Sequence, residues 1–236
     1  MRSLMIHLNN VTLLAIDGAG SDTKALPALR YSSASIRFGD TRLLTSNKNI
    51  QNNFCSTHII EKMNMNYYNY FCINQLHQYF DTDYVLLVQS DGFILNPHLW
   101  QDEFLNYDYI GAAWPEHIVK NCMMMSENMV KLTKNNKSLH QVGNGGFTLR
   151  SKKLLQETNE LYENWMFGYP EDVIIGIGMR EKLQRQGYKF APVDLAIKFS
   201  CEHSPINGMN FTPEQSFGFH GKMVHPHLLD KLQEVL

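Results

Sequence analysis

Five features of this sequence carry residue types that could do chemistry. The first is Asp91, three residues past the end of the apolar run "YVLLV" in "YVLLVQSDGF". A carboxylate there sits at the carboxyl end of a buried strand, where open α/β sheets bind ligands. It can touch a metal, a ribose or a diphosphate, and Gly92 lets the backbone turn sharply beside it. The plainer reading is an Asp that caps a turn. The second is "VGNGGFTLR", in which Gly143, Gly145 and Gly146 surround Asn144. Exposed amides in such a loop can cradle an anion or lie under a sugar, although a tight hairpin gives the same pattern. No G-K-[ST] follows, which excludes a P-loop.

The third feature is the pair Glu171 and Asp172 after Pro170, at the expected start of a helix. The helix dipole keeps carboxylates there ionised, and an ionised carboxylate at a pocket edge can deprotonate a hydroxyl. First-turn acids are also common in helices without such a role. The fourth is "FGFHGK", where His220 can bind a transition metal and Lys222 a phosphate. His220 packed between Phe217 and Phe219 is the structural alternative. The fifth is "IDGAGSD", where Gly18 and Gly20 follow a strand but Thr23 takes the place of a third dinucleotide-site glycine. This loop, with Asp17, can hold a nucleotide base or ribose.

The elements that must position these residues alternate between strand and helix. "VTLLAID" reads as a buried strand, "SIRF" and "TRLLTS" as two short strands, and Thr57 to Phe80 as a helix. "YVLLV" and "YDYIGAAW" read as strands, and a segment from Pro97 through Phe104 as helical. Pro115 to His140 is polar and irregular, the composition of a loop or of a mobile, helix-containing excursion between two motifs. "SKKLLQETNELYENW" is expected to be a helix capped by Ser151, and "PEDVIIGIGMREKLQRQGY" a helix ending near Gly187. "KFAPVDLAIKFSCEH" suggests two short strands, and the C-terminal tail a short helix. This alternation favours an α/β sandwich with a mixed, mainly parallel sheet flanked by helices.

In order, "QSDGF", "DYIGAAW", "GNGGFTLR", "PED" and "FGFH" resemble a bacterial and viral family of glycosyltransferase-like domains of unknown function. The likeness runs from about Thr57 to His220 and implies a GT-A-like single domain over residues 1–236. Residues 1–95 would bind the nucleotide and residues 96–236 the acceptor. The resemblance also implies roles. Asp91 is similar to the last Asp of a D-x-D motif, touching metal and donor diphosphate, with Ser90 and Gly92 beside it. Asp17, Gly145, Gly146 and Lys222 would face the donor, and Trp114 and Asn144 the acceptor. Asp172 would be the general base of an inverting transfer, with Glu171 beside it, and His220 would complete a Mn²⁺ or Mg²⁺ site with Asp91. Gln89 stands where D-x-D has its first Asp, which removes one carboxylate ligand.

Composition narrows the alternatives. A net charge of −2 and a hydrophobic fraction of 44% exclude a disordered polyelectrolyte and argue against a strongly basic nucleic-acid footprint. The four cysteines are widely spaced, with no C-x-x-C pair, as expected of reduced thiols in a cytoplasmic protein. No apolar run is long enough to cross a bilayer. The expected function is transfer of a sugar from a nucleotide-diphosphate sugar, a UDP-sugar by preference. The acceptor is left open between a glycan, a small molecule, a protein and a modified nucleobase in DNA. The competing classes are an NAD(P)-binding oxidoreductase built on "DGAGSD" and a non-catalytic nucleotide- or carbohydrate-binding module.

Overall fold

The computed structural model describes residues 5–20, 25–136, 138–221 and 225–235. Along the chain run β1 (Ile6–Asp17), α1 (Ala25–Ser33), β2 (Ile36–Thr45), β3 (Ser56–Ile59), α2 (Met65–Asn74), β4 (Tyr84–Val88) and β5 (Gly92–Ile94). Then follow β6 (Tyr109–Ile110), α3 (Glu116–Met123), α4 (Glu127–Thr133), β7 (Thr148–Ser151), α5 (Lys152–Glu160) and α6 (Glu171–Val173). A π-helical turn (Ile174–Gly178) joins α6 to α7 (Arg180–Arg185), and α8 (Val193–Phe199), β8 (Ser200–Cys201) and β9 (Gly218–His220) follow.

A six-stranded sheet of order β3-β2-β1-β4-β7-β6 forms the centre, and β5-β9-β8 form a small second sheet. β1, β2, β3 and β4 run parallel, and only β7 is reversed between β4 and β6. The central strands are buried on both faces, as the unbroken apolar runs of β1 and β4 require. Leu13, Ala15, Leu86 and Val88 enter one core with Phe147 and Phe199, while Leu14, Val85 and Leu87 enter the other with Phe71 and Phe80. Period-2 alternation divides each strand between two helical layers. β4 pairs with β7 and β5 with β9, so both sheets draw strands from either side of residue 95. The result is a single mixed α/β domain.

Several local expectations change. Thr57 lies in edge strand β3, paired with Leu43, and the helix begins only at Met65, where the Asn64 side chain accepts the Tyr67 amide at 3.0 Å. "SIRF" and "TRLLTS" form one strand, β2. The Pro97–Phe104 segment makes two short 3₁₀ turns, and the tail from Pro226 is 3₁₀-helical. The stretch expected as two strands is α8 followed by the two-residue β8, because Pro192 starts a helix there. Ser151 does cap α5, accepting from the Leu154 amide at 3.2 Å. The Pro115–His140 segment is organised as α3 and α4, whose Val119 and Met129 are buried against the π-helical turn. Among the described residues no helix is long and apolar enough to cross a membrane.

Candidate functional site

The parallel direction of β1 and β4 delivers Asp17 and the Gln89–Gly92 turn to the same edge of the sheet. The loop before β7 and the start of α6 close over that edge. Between them lies a cleft of about 530 Å³ lined by, among others, Asp17, Gln89, Ser90, Asp172, Glu202 and His220.

Asn144 organises the glycine loop. Its φ is +67°, a left-handed conformation that Asn tolerates better than most residues. Its Oδ1 accepts the Gly146 amide at 2.9 Å and the Phe147 amide at 3.1 Å, and its Nδ2 lies 2.8 Å from His220 Nδ1. The Gly145 amide donates to Asp172 Oδ2 at 2.9 Å, and the Gly143 amide to the Ala112 carbonyl. These amides are therefore engaged within the protein and do not form an anion cradle. The glycines serve instead through the side chains they lack. A Cβ on Gly145 would overlap the Glu171 carboxylate, and one on Gly146 the His220 imidazole. Both glycines, and Asn144, line the cleft.

Glu171 and Asp172, adjacent in sequence, have different surroundings. Glu171 is buried, and its Oε1 accepts from Arg150 Nη2 at 2.7 Å. Arg150 is itself fully buried, with its guanidinium over the Tyr109 ring, and its Nε donates to Thr148 Oγ1. Asp172 Oδ1 accepts from the Val173 amide at 2.8 Å. Burial first, and the Glu171 charge second, push the Asp172 carboxyl up to about 7, against the pull of Arg150. Of the two, Asp172 has the poise of a general base at neutral pH. Glu171 is committed to an ion pair.

Asp91 and His220 meet, with Asp91 Oδ1 3.8 Å from His220 Nε2. The turn that carries Asp91 is closed by two hydrogen bonds between Gln89 and Gly92, and the Asp91 carbonyl accepts the Gly221 amide. Gly92 packs against the imidazole, where a Cβ would come within 2.8 Å of its Cδ2. On the other side of the ring, Nδ1 lies 3.1 Å from Glu202 Oε1. Burial lowers the His220 pKa, but the Glu202 hydrogen bond and charge, helped by Asp91 and Asp172, raise it overall. Glu202 also receives Trp114 Nε1 on Oε2 at 3.1 Å. Burial would raise Glu202, yet the His220 contacts and Asn144 hold it below its usual value.

The other expected residues have further partners. Trp114 is 5% exposed, packs on Gly143 and is not among the side chains lining the cleft, so its contact is with Glu202. Asp17 is buried, accepting Thr45 Oγ1 at 2.9 Å and the Gly20 amide at 3.0 Å, which fixes the loop after β1. Lys222 lies outside the described residues. Gln89, in place of an acid, donates to the Tyr68 hydroxyl at 2.8 Å. The sequence reading passed over Glu202. Its signal was present, because Glu202 directly follows β8 and Asp91 lies in the turn after β4, but a two-residue strand is too short to stand out. Arg150 lay inside a noted motif without a role.

The resemblance to glycosyltransferase-like domains leads one to expect a divalent cation. Among the described residues no group of three His, Cys, Asp or Glu side chains gathers around a common point. Asp91 and His220, 3.8 Å apart, are the two side chains that would hold such a cation. A carboxylate on the far ring nitrogen, as Glu202 is here, is the usual support of a metal-binding imidazole.

The fold agrees with this arrangement. The chain matches a crystal structure of an active-site mutant of LgtC, a GT-A glycosyltransferase. The TM-score is 0.54 and the identity 13%, over 95% of this chain and 94% of that one. No curated protein sequence matches the chain. Residues 49–220 match the family described as "Protein of unknown function (DUF5672)", and the chain belongs to that family.

Proposed function

We propose that the protein is a glycosyltransferase that moves a sugar from a nucleotide-diphosphate donor, a UDP-sugar by preference, to a hydroxyl acceptor. The observation that carries this reading is the convergence, in one cleft of a GT-A fold, of Asp172 from α6 and His220 from β9 with the turns at the carboxyl ends of β1 and β4. The β1 loop and the Gln89–Gly92 turn would hold the nucleotide. Asp91 and His220 would hold a Mn²⁺ or Mg²⁺ ion, which supplies positive charge where the departing diphosphate becomes negative. Asp172 takes the proton of the acceptor hydroxyl as that oxygen attacks the anomeric carbon. Attack from the face opposite the diphosphate inverts that carbon. The reversed β7 departs from the parallel sheet of a dinucleotide-binding dehydrogenase, which weighs against the oxidoreductase reading.

The test is a panel of UDP-, GDP-, CMP- and dTDP-sugars and NAD(P), with and without Mn²⁺, read by thermal shift and by nucleotide release. Stabilisation by one class of nucleotide sugar, with slow release of its nucleotide, supports the proposal. Binding of NAD(P) alone, or of no nucleotide sugar, overturns it.

A further inference from the structure

Beside the cleft lies a second hollow of about 350 Å³ lined by Tyr67, Tyr70, Tyr162, Asn164 and Phe167. Its rings form a connected set. Tyr70 is 5.5 Å from Tyr67, 5.4 Å from Tyr162 and 6.3 Å from Phe167, centroid to centroid. Aromatic side chains normally bury their area, yet Tyr67 is 36% and Phe167 50% exposed. Exposed rings grouped around a hollow offer a ligand flat apolar faces with polar edges. Its walls are those of the cleft. On α2, Met65 and Tyr68 face the cleft while Tyr67 and Tyr70 face the hollow. On the opposite wall, Phe167 lies in the hollow and Pro170, Glu171 and Asp172 in the cleft. The walls approach each other at Gly168, where a Cβ would lie 3.8 Å from the Asn66 carboxamide.

We infer that this aromatic hollow is an acceptor subsite that holds a saccharide unit of a glycan chain whose reacting hydroxyl reaches Asp172. The inference rests on the glycosyl-transfer reading and names the acceptor class within it. A pyranose ring has an apolar C–H face that stacks on aromatic rings and a rim of hydroxyls that needs hydrogen-bonding partners. The hollow offers both. The hydroxyls of Tyr67, Tyr70 and Tyr162 have no hydrogen-bond partner among the described residues, and the Asn164 carboxamide is exposed beside them. Charge decides against a nucleic acid, which also stacks on aromatic rings. Single strands are bound along grooves with cationic side chains that follow the phosphates. No Lys or Arg lines this hollow, and the nearest charge on the Tyr162–Phe167 segment is the carboxylate of Glu163.

The experiment probes the full chain with a printed array of oligosaccharides. The best-bound oligosaccharide, and separately a single-stranded oligodeoxynucleotide, are then titrated against wild type, Tyr67→Ala, Tyr67→Phe and Phe167→Ala. Both positions are exposed, so the variants are expected to fold, and thermal melting verifies this. Loss of one stacked ring should weaken glycan binding by about two- to tenfold in each Ala variant, while Tyr67→Phe keeps most of it. Absence of glycan binding, or binding indifferent to both Ala changes, overturns the subsite. Tyr67-dependent binding of the oligonucleotide overturns it in favour of nucleic acid. Donor breakdown by water, measured on the same proteins, separates the two proposals. If it persists without glycan binding, the subsite alone fails. Groove-dependent glycan binding by a protein that takes no nucleotide sugar sinks the transfer reading and leaves a glycan site.

Discussion

The amide of Gly145 donates to Asp172 Oδ2 at 2.9 Å, tying the glycine loop to the carboxyl that titrates near neutrality. The loop before β7 and the first turn of α6 are therefore joined directly at the candidate base. A change on either side is felt at the candidate base.

The first prediction concerns pH. The Asp172 carboxyl is raised from 3.8 to about 7 in the folded chain. Between those values the native state holds a proton that the unfolded chain has released. Stability from this group is therefore present at low pH and lost as pH rises through about 7. Activity runs the other way, because only the carboxylate accepts a proton, and the rate should climb to a plateau above about 7. Chemical denaturation and initial rates across pH 4–9 check both limbs. Asp172→Asn should flatten the stability slope, and a slope unchanged by that substitution refutes the assignment.

Asp172→Asn should lower kcat by about 10²–10⁴-fold and leave donor affinity nearly unchanged, since a base acts on the acceptor in the transition state. Asp91→Asn and His220→Ala should instead weaken Mn²⁺-supported donor binding as well as turnover. Calorimetric titration of donor with and without Mn²⁺ distinguishes the two patterns. Near-normal turnover in a folded Asp172→Asn protein would move the base elsewhere.

Arg150→Met should be strongly destabilising, by about 3–5 kcal/mol in urea unfolding, because it strands the buried Glu171 carboxylate. Pairing it with Glu171→Leu should recover a large part of that loss. In Arg150→Met the rising limb of the pH–rate profile should also move to higher pH, since Arg150 holds the Asp172 pKa down. A limb that stays in place would show that Asp172 does not govern the profile.

Gly146→Ala places a methyl group in the His220 imidazole and should cost about 1–3 kcal/mol as the ring is displaced. The informative reading is functional: donor binding should lose its Mn²⁺ dependence while Asp172, held through Gly145, keeps its titration. Gly187→Ala serves as a control, because its left-handed φ of +94° strains the Ala backbone and no atom lies within 4 Å of the new Cβ. It should reduce stability without touching metal response.

The sequence by itself determined the parts whose physics is local. The apolar runs of β1 and β4 can only be strands buried on both faces. Ser151 and Gly187 mark helix ends by their own chemistry. Asp91, Asp172 and His220 each stand where an element begins or ends. What it left undecided depends on partners far along the chain. Thr57 to Ile59 became strand because β2 offered an unpaired edge, which outweighs a helical spacing of apolar residues. The tertiary structure also divided the acidic pair. Nothing in "PED" says that Glu171 meets Arg150, 21 residues away, while its neighbour keeps a raised pKa in the cleft. Glu202 acquired its place in the same way. It follows a strand of two residues, and only the folding of β8 beside β9 brings it to His220, 18 residues on. Titration and ion pairing follow from burial and from the distance between charges. Both quantities exist only once the chain has folded.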